Sequence, residues 1–157
     1  MLINIRKAEI SDANIIETIA SLSFKKFELD KKGLKYEKET TLNKISAYIQ
    51  HPDYRVFVCL SEDNVIVGFV FSIIHTALYD DNTKQIVEIG MQPDPRLQKI
   101  PQSKILLKLM SSIEKVASDE NLGLIAFSIC PEFDISSHLE KKGYRLSDKI
   151  YMKAREE

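Results

Sequence analysis

Glu88 lies inside an apolar segment, Gln85–Gln92, and three basic residues, Arg96, Lys99 and Lys104, follow it around the start of a helical pattern. A carboxylate in such a strand is either a solvent-facing residue or a general base. Cations at a helix start oppose the dipole, so the basic trio reads equally as an anion site or as plain surface. The three histidines suggest less. His75 ends an apolar strand, His51 precedes Pro52 at a helix end, and His138 precedes Glu140, Lys141 and Lys142 on what reads as a solvated helix face. Ser111-Ser112 has no His or Asp at a recognisable spacing, which argues against a serine hydrolase. Cys59 and Cys130 each sit in an apolar run and read as buried small hydrophobes. With no CxxC and no close His/Cys cluster, no metal site is expected.

The elements that must position these residues follow from periodicity. Ile3–Arg6 alternates as a short strand. Ser11-Asp12 offers an N-cap to a helix carrying Ile15, Ile16, Ile19, Ala20 and Leu22 and reaching about Phe27. A charged loop, Asp30–Leu34, precedes a second helix over Tyr36–Gln50. Arg55–Leu60 and Val65–Ile74 flank Glu62-Asp63-Asn64 and read as a hairpin. Thr76–Lys84 is polar and is expected to be a loop. Gln85–Gln92 is a strand in which Gly90 hints at a bulge. Pro93, Pro95 and Pro101 predict an irregular loop before a helix over Ser103–Ser118. Gly123–Cys130 is an apolar strand, Asp134–Lys142 a short helix with Gly143 as its C-cap, and Tyr144–Lys153 a closing strand or hairpin.

The order is β-α-α-β-β-β-α-β-α-β in one expected domain, residues 1–157. The chain is 44% hydrophobic and 29% charged with a net charge of -1, an ordinary globular balance. Its Lys and Arg residues form no block, so nucleic acid is not an expected partner. The longest apolar stretch, near Val65–Ile74, falls far short of a membrane span of about 20 residues, and MLINIRKAEISD does not read as a secretory signal. No membrane partner and a cytoplasmic location are the expectations.

Several local patterns resemble the GNAT superfamily of N-acetyltransferases. They are Ile3-x-Ile5-Arg6-x-Ala8 followed by Asp12, the turn and strand Glu62-Asp63-Asn64-Val65-Ile66-Val67-Gly68-Phe69, and Ile86-x-x-Ile89-x-Met91-x-Pro93-x-x-Arg96. The ending, Leu139-x-x-x-Gly143-Tyr144 with Tyr151-Met152-Lys153, is similar too. Their order and spacing together carry the resemblance.

It implies an α/β fold with a mixed, mostly antiparallel sheet, a central parallel strand pair and flanking helices. It also implies acetyl-CoA as co-substrate and direct transfer to a primary amine of a small molecule or peptide. The cofactor would lie where the parallel strands splay, along Ile89 and Met91. It would continue over the loop and helix start formed by Arg96, Gln98, Lys99, Ile100, Pro101, Gln102, Ser103 and Lys104. The family's loop reads Q/R-x-x-G-x-G/A. Anchored on Arg96, its small positions are Lys99 and Pro101; anchored on Gln98, they are Pro101 and Ser103, and neither register supplies a glycine. The usual positions of base and acid hold Gln85 and Leu139, which leaves water or Glu88 as base and Tyr144 among the candidate acids. The alternative is a catalytically degenerate GNAT-fold binding or regulatory protein, as a monomer or a homodimer.

Overall fold

The computed structural model describes residues 3–78, 80–128 and 135–146. Among the described residues, five strands form one sheet in the order of the chain: β1 (Asn4–Lys7), β2 (Tyr54–Leu60), β3 (Ile66–Ala77), β4 (Asp80–Pro93) and β5 (Leu124–Ala126). The first four pair antiparallel and β4 pairs parallel to β5, so the sheet is mixed, as the sequence pattern implies. The parallel pair closes one side of the described sheet. Cys130, Tyr151 and most of the predicted last strand lie outside the described residues, and Tyr144–Leu146 have no regular structure.

Helices cover both faces. On one, α1 (Ala13–Lys26) and α2 (Lys38–Gln50) bury Ile16, Ile19 and Ile45 against Val56, Val58, Phe69 and Phe71. On the other, α3 (Lys99–Asp119) buries Ile105, Leu109, Ile113 and Ala117, a four-residue stripe, against Cys59, Val70 and Ile86. Each fully buried Ile or Leu contributes roughly 1.5–3 kcal/mol. Burial pushes the Cys59 thiol up to about 12, so it stays protonated in the core.

Helix starts moved by a few residues. Ile10–Asp12 forms a 3-10 turn, with Asp12 then serving as N-cap of α1. The Asp12 carboxylate accepts from Arg6 at 2.6 and 2.9 Å and from the Glu9 N–H at 2.8 Å, pinning β1 to the helix start. The charged loop contains a 3-10 turn, Leu29–Lys32, closed by Gly33 at φ 83°. α2 begins at Lys38, and Tyr36 lies before it with its hydroxyl donating to Glu17 Oε1 at 2.6 Å.

Two expectations are corrected. Thr76–Lys84 is not a loop: β3 and β4 run on through it, with Thr76 paired to Lys84 and His75 to Gln85. Its polarity reflects its position. β2 reaches only Ile73 and β5 begins only at Gln85, so this two-stranded arm stands beyond the sheet with solvent on its surfaces. Second, the irregular loop is short. α3 begins at Lys99, so Lys99–Lys104 are its first turns. Pro101 is tolerated there because first-turn N–H groups have no intrahelical partner to lose.

Other expectations match. Asn64 takes φ 58° in the β2–β3 turn. Phe71 pairs with Gly90 and Ser72 with Glu88, which leaves Ile89 as the extra residue of a bulge. α4 (Ser136–Lys141) ends at Gly143, φ 89°, whose N–H donates to the Glu140 carbonyl while the Tyr144 N–H donates to that of Leu139.

Candidate functional site

The bulge is where β4 and β5 part. Their register runs Gln85–Leu124, Ile86–Ile125, Val87–Ala126, and then stops. Ile86 points into the α3 core and fixes the phase of the strand, so Glu88, two residues on, faces the same way. Its side chain fills the place of the next rung: the Ser128 N–H donates to Glu88 Oε2 at 3.0 Å. Glu88 is only 4% exposed. Burial lifts its carboxyl from 4.5 to about 7, against the opposing effect of the Ser128 N–H. A carboxyl in that range exchanges protons near neutrality.

Beyond the bulge, Ile89 is half-exposed, and Gly90, Met91 and Gln92 are paired to β3 along one edge. Among the described residues no strand occupies the other edge. β4 then ends at Pro93, and five residues, Asp94 to Gln98, lead to the start of α3. Ile89 and Met91 thus follow Glu88 on β4, and residues 96–104 form the end of the connecting segment and the first turns of α3.

Past the strand, residues 94–104 contain no glycine. The Asp94 N–H donates to the Val67 carbonyl at 2.8 Å, and Lys26 Nζ donates to the Pro95 carbonyl at 3.2 Å. Gln98 is the N-cap, and the first intrahelical bond runs from the Gln102 N–H to its carbonyl. Lys99 and Ile100 precede that bond with N–H groups that no described carbonyl takes, while Pro101 has none to offer. The Ile100 side chain is 72% exposed. Ser103 donates back to the Lys99 carbonyl. Gln102 is buried: its Nε2 donates to the Leu97 carbonyl, and its Oε1 has no partner among the described residues. Lys99 and Lys104 are exposed.

Arg96 is engaged. Asp94 Oδ1 accepts from its backbone N–H and Nε at 2.9 Å each, and Asp94 Oδ2 accepts from Nε at 3.1 Å and Nη2 at 2.6 Å. Burial raises the Asp94 carboxyl, but the hydrogen bonds and charge of Arg96 outweigh it and hold the group below its usual value. Sequence reasoning missed Asp94. The available signal was Asp94-Pro95-Arg96 before a helix, a composition that favours a side-chain-closed turn.

Tyr144 belongs to a different arrangement. Its hydroxyl donates to Glu114 Oε1 at 3.0 Å, Lys142 Nζ reaches Glu114 Oε2 at 2.6 Å, and its ring leans on Phe127. Burial and then the Glu114 carboxylate push its pKa well above the ordinary tyrosine value. Such a hydroxyl holds its proton tightly and ties the end of α4 to α3. Tyr144→Phe is expected to lower stability by about 1 kcal/mol, the usual worth of one hydrogen bond, in urea denaturation. Turnover, once measurable, should be unchanged. Gln85 and His75 meet at the base of the arm, 3.2 Å apart, both partly open to solvent. His138 is half-buried on α4, and Leu139 is part of the core.

No family model matches the sequence, and no curated protein matches it. Solved structures do. A possible acetyltransferase from Clostridium difficile 630 is 15% identical, with a TM-score of 0.70 and all of both chains covered. A transcriptional regulator from Bacillus halodurans C-125 is 16% identical, with a TM-score of 0.74 over 96% of this chain and 97% of that one. An acetyltransferase of Clostridium acetobutylicum, named as predicted and solved with acetyl-CoA, is 13% identical, with a TM-score of 0.66 over 96% and 94%. At these identities the likeness is one of fold. The chain has the architecture of these proteins, the GNAT-type fold that its sequence pattern resembles.

Proposed function

We propose that the protein is an acetyl-CoA-dependent N-acetyltransferase acting on a primary amine of a small molecule or peptide. The observation that carries this reading is the edge of β4 at Ile89–Gln92 that no strand among the described residues occupies, which starts beside a buried carboxyl and runs to a helix start. Free strand groups suit the amides of a pantetheine arm, and the Lys99 and Ile100 N–H groups with the neighbouring cations suit phosphate. The likeness to a structure solved with acetyl-CoA agrees with it.

In the proposed reaction the amine nitrogen attacks the thioester carbonyl carbon, the C–S bond breaks, and the electron pair leaves on sulfur. Glu88, directly or through a water, takes the proton that the amine loses, and the thiolate takes its proton from solvent. Holding amine and thioester together supplies much of the acceleration.

Calorimetric titration with acetyl-CoA tests the reading. We expect saturable binding that weakens in Arg96→Ala. No heat at millimolar ligand would end the enzyme interpretation. It would favour the second reading, a GNAT-fold binding or regulatory protein, for which Pro101 in place of an N–H donor is the specific observation.

A further inference from the structure

Asp94 is an unusual residue for an anion site. It is a carboxylate, 5% exposed, at the head of the segment through which the phosphates of the proposed cofactor would pass. By Coulomb repulsion alone it should oppose them. Among the described residues, however, only Arg96 donates to its carboxylate, through the backbone N–H, Nε and Nη2. The pair is also lopsided. The Arg96 side chain remains 62% exposed while that of Asp94 is 6% exposed, so the carboxylate is the buried anchor and the guanidinium the outward group. Two oxygens grip Nε and Nη2, leaving Nη1 without a partner among the described residues and one N–H edge of the fork open.

The anchor is itself fixed. The Asp94 N–H is bonded to β3 at Val67, the Pro95 carbonyl to Lys26 of α1, the Leu97 N–H to the Asp94 carbonyl, and the Leu97 carbonyl to Gln102 of α3. Where a glycine-rich loop would present backbone N–H groups, this chain presents a side chain held by another side chain.

We propose that Asp94 is a positioning residue for cofactor binding: its buried carboxylate holds the Arg96 guanidinium ready as a phosphate clamp beside the start of α3. The proposal rests on the acetyl-CoA reading above. It assigns Asp94 a role through Arg96, with no contact of its own to the ligand. Orienting one long cation in advance removes the ordering penalty that a free arginine would bring to binding.

The sign of the effect makes it testable. Removing a negative charge near an anion should tighten binding if the carboxylate is a bystander, and should weaken it if the carboxylate positions Arg96. Acetyl-CoA is titrated calorimetrically into the full-length protein and its Asp94→Asn, Arg96→Ala and doubly substituted forms, each at several salt concentrations. We expect Asp94→Asn to weaken acetyl-CoA roughly threefold to tenfold, the range for ordering one such side chain. The slope of log Kd against log salt should flatten as it does in Arg96→Ala, because an ordered ionic contact is lost. On the Arg96→Ala background the Asp94→Asn change should produce no further weakening. Unchanged or tighter binding by Asp94→Asn overturns the proposal, as does weakening with an unchanged salt slope, which would mark mere loosening of the fold. If Asp94→Asn does not fold, Asp94→Glu serves instead: it keeps the charge but displaces the guanidinium, and the same two changes are expected. Failure of the unsubstituted protein to bind overturns the functional reading itself, a result distinct from all of these.

Discussion

Glu88→Gln should stabilise the protein at pH 8 while abolishing most of its proposed activity. The stability half follows from linkage. The folded-state pKa of Glu88 is raised from 4.5 to about 7, so the folded state binds this proton more tightly than the unfolded chain does. The resulting stability is fully present below about pH 4.5, fades as the pH rises, and is gone above about 7. At about 1.4 kcal/mol per pH unit over this interval, the loss amounts to roughly 3–4 kcal/mol. Glutamine carries no such penalty and can still accept from the Ser128 N–H. Urea unfolding at pH 4, 6 and 8 should show a midpoint that falls for the wild type and stays comparatively level for the variant. Parallel curves would mean that Glu88 is not a strained buried carboxyl. The activity half is a fall in kcat/KM of about 10²-fold or more, the usual worth of a general base. The rising limb of the pH–rate profile, with its midpoint near 7, should vanish with it. A stabilised variant with full turnover would leave Glu88 as a structural bridge between diverging strands and assign proton removal to water.

Gly68→Ala should be among the most damaging single-methyl additions to the chain. Gly68 lies on β3 opposite Pro93, the last residue of β4, and faces α3. A Cβ there would stand 2.6 Å from Ile105 Cγ2, 3.1 Å from the Gln92 carbonyl oxygen and 3.3 Å from Pro93 Cα. Two of these neighbours are backbone and cannot swing aside. Ile105 is fully buried. Relief therefore requires α3 or the end of β4 to move, at a destabilisation of about 1–3 kcal/mol, and more for Gly68→Val. The same displacement would shift the segment carrying Asp94 and Arg96, so acetyl-CoA affinity should drop along with stability. Ile105→Ala removes the nearest clashing atom, and the double variant should lose less than the sum of the two single losses. Strict additivity would show that the contact with Ile105 is not what keeps this position a glycine.

What the sequence made legible depended on how local the cause was. The α3 stripe is a periodicity that the eye can follow, and Gly90 advertised the bulge beside it. Glu88 could be placed on a strand, and strand alternation gave its face, but its burial depends on β5 and α3 arriving from elsewhere in the chain. The arm at Thr76–Lys84 was misread because strand signals are really burial signals. Where a ribbon has solvent around it, polar residues satisfy it, and only backbone pairing reveals the strand. Pro101 was read as a loop marker although the first turn of a helix accepts it equally well. Asp94 escaped notice because its importance is relational. Nothing about a lone aspartate says that it will be buried and that its partner two residues later will not.

The strand order itself bears on how the chain reaches this structure. β2, β3 and β4 are consecutive in sequence and adjacent in space, joined by tight connections, so their contacts close small loops. β1 must wait for α1 and α2 to fold back, and β5 must cross the length of α3 before it can pair with β4. Low-separation contacts form with the least loss of chain entropy. These separations predict the three-strand meander as the early-forming unit and the parallel seam beside Glu88 as a late one. The proposed active site would be assembled last, on a scaffold already made, and it would be the first part to open when the protein is stressed.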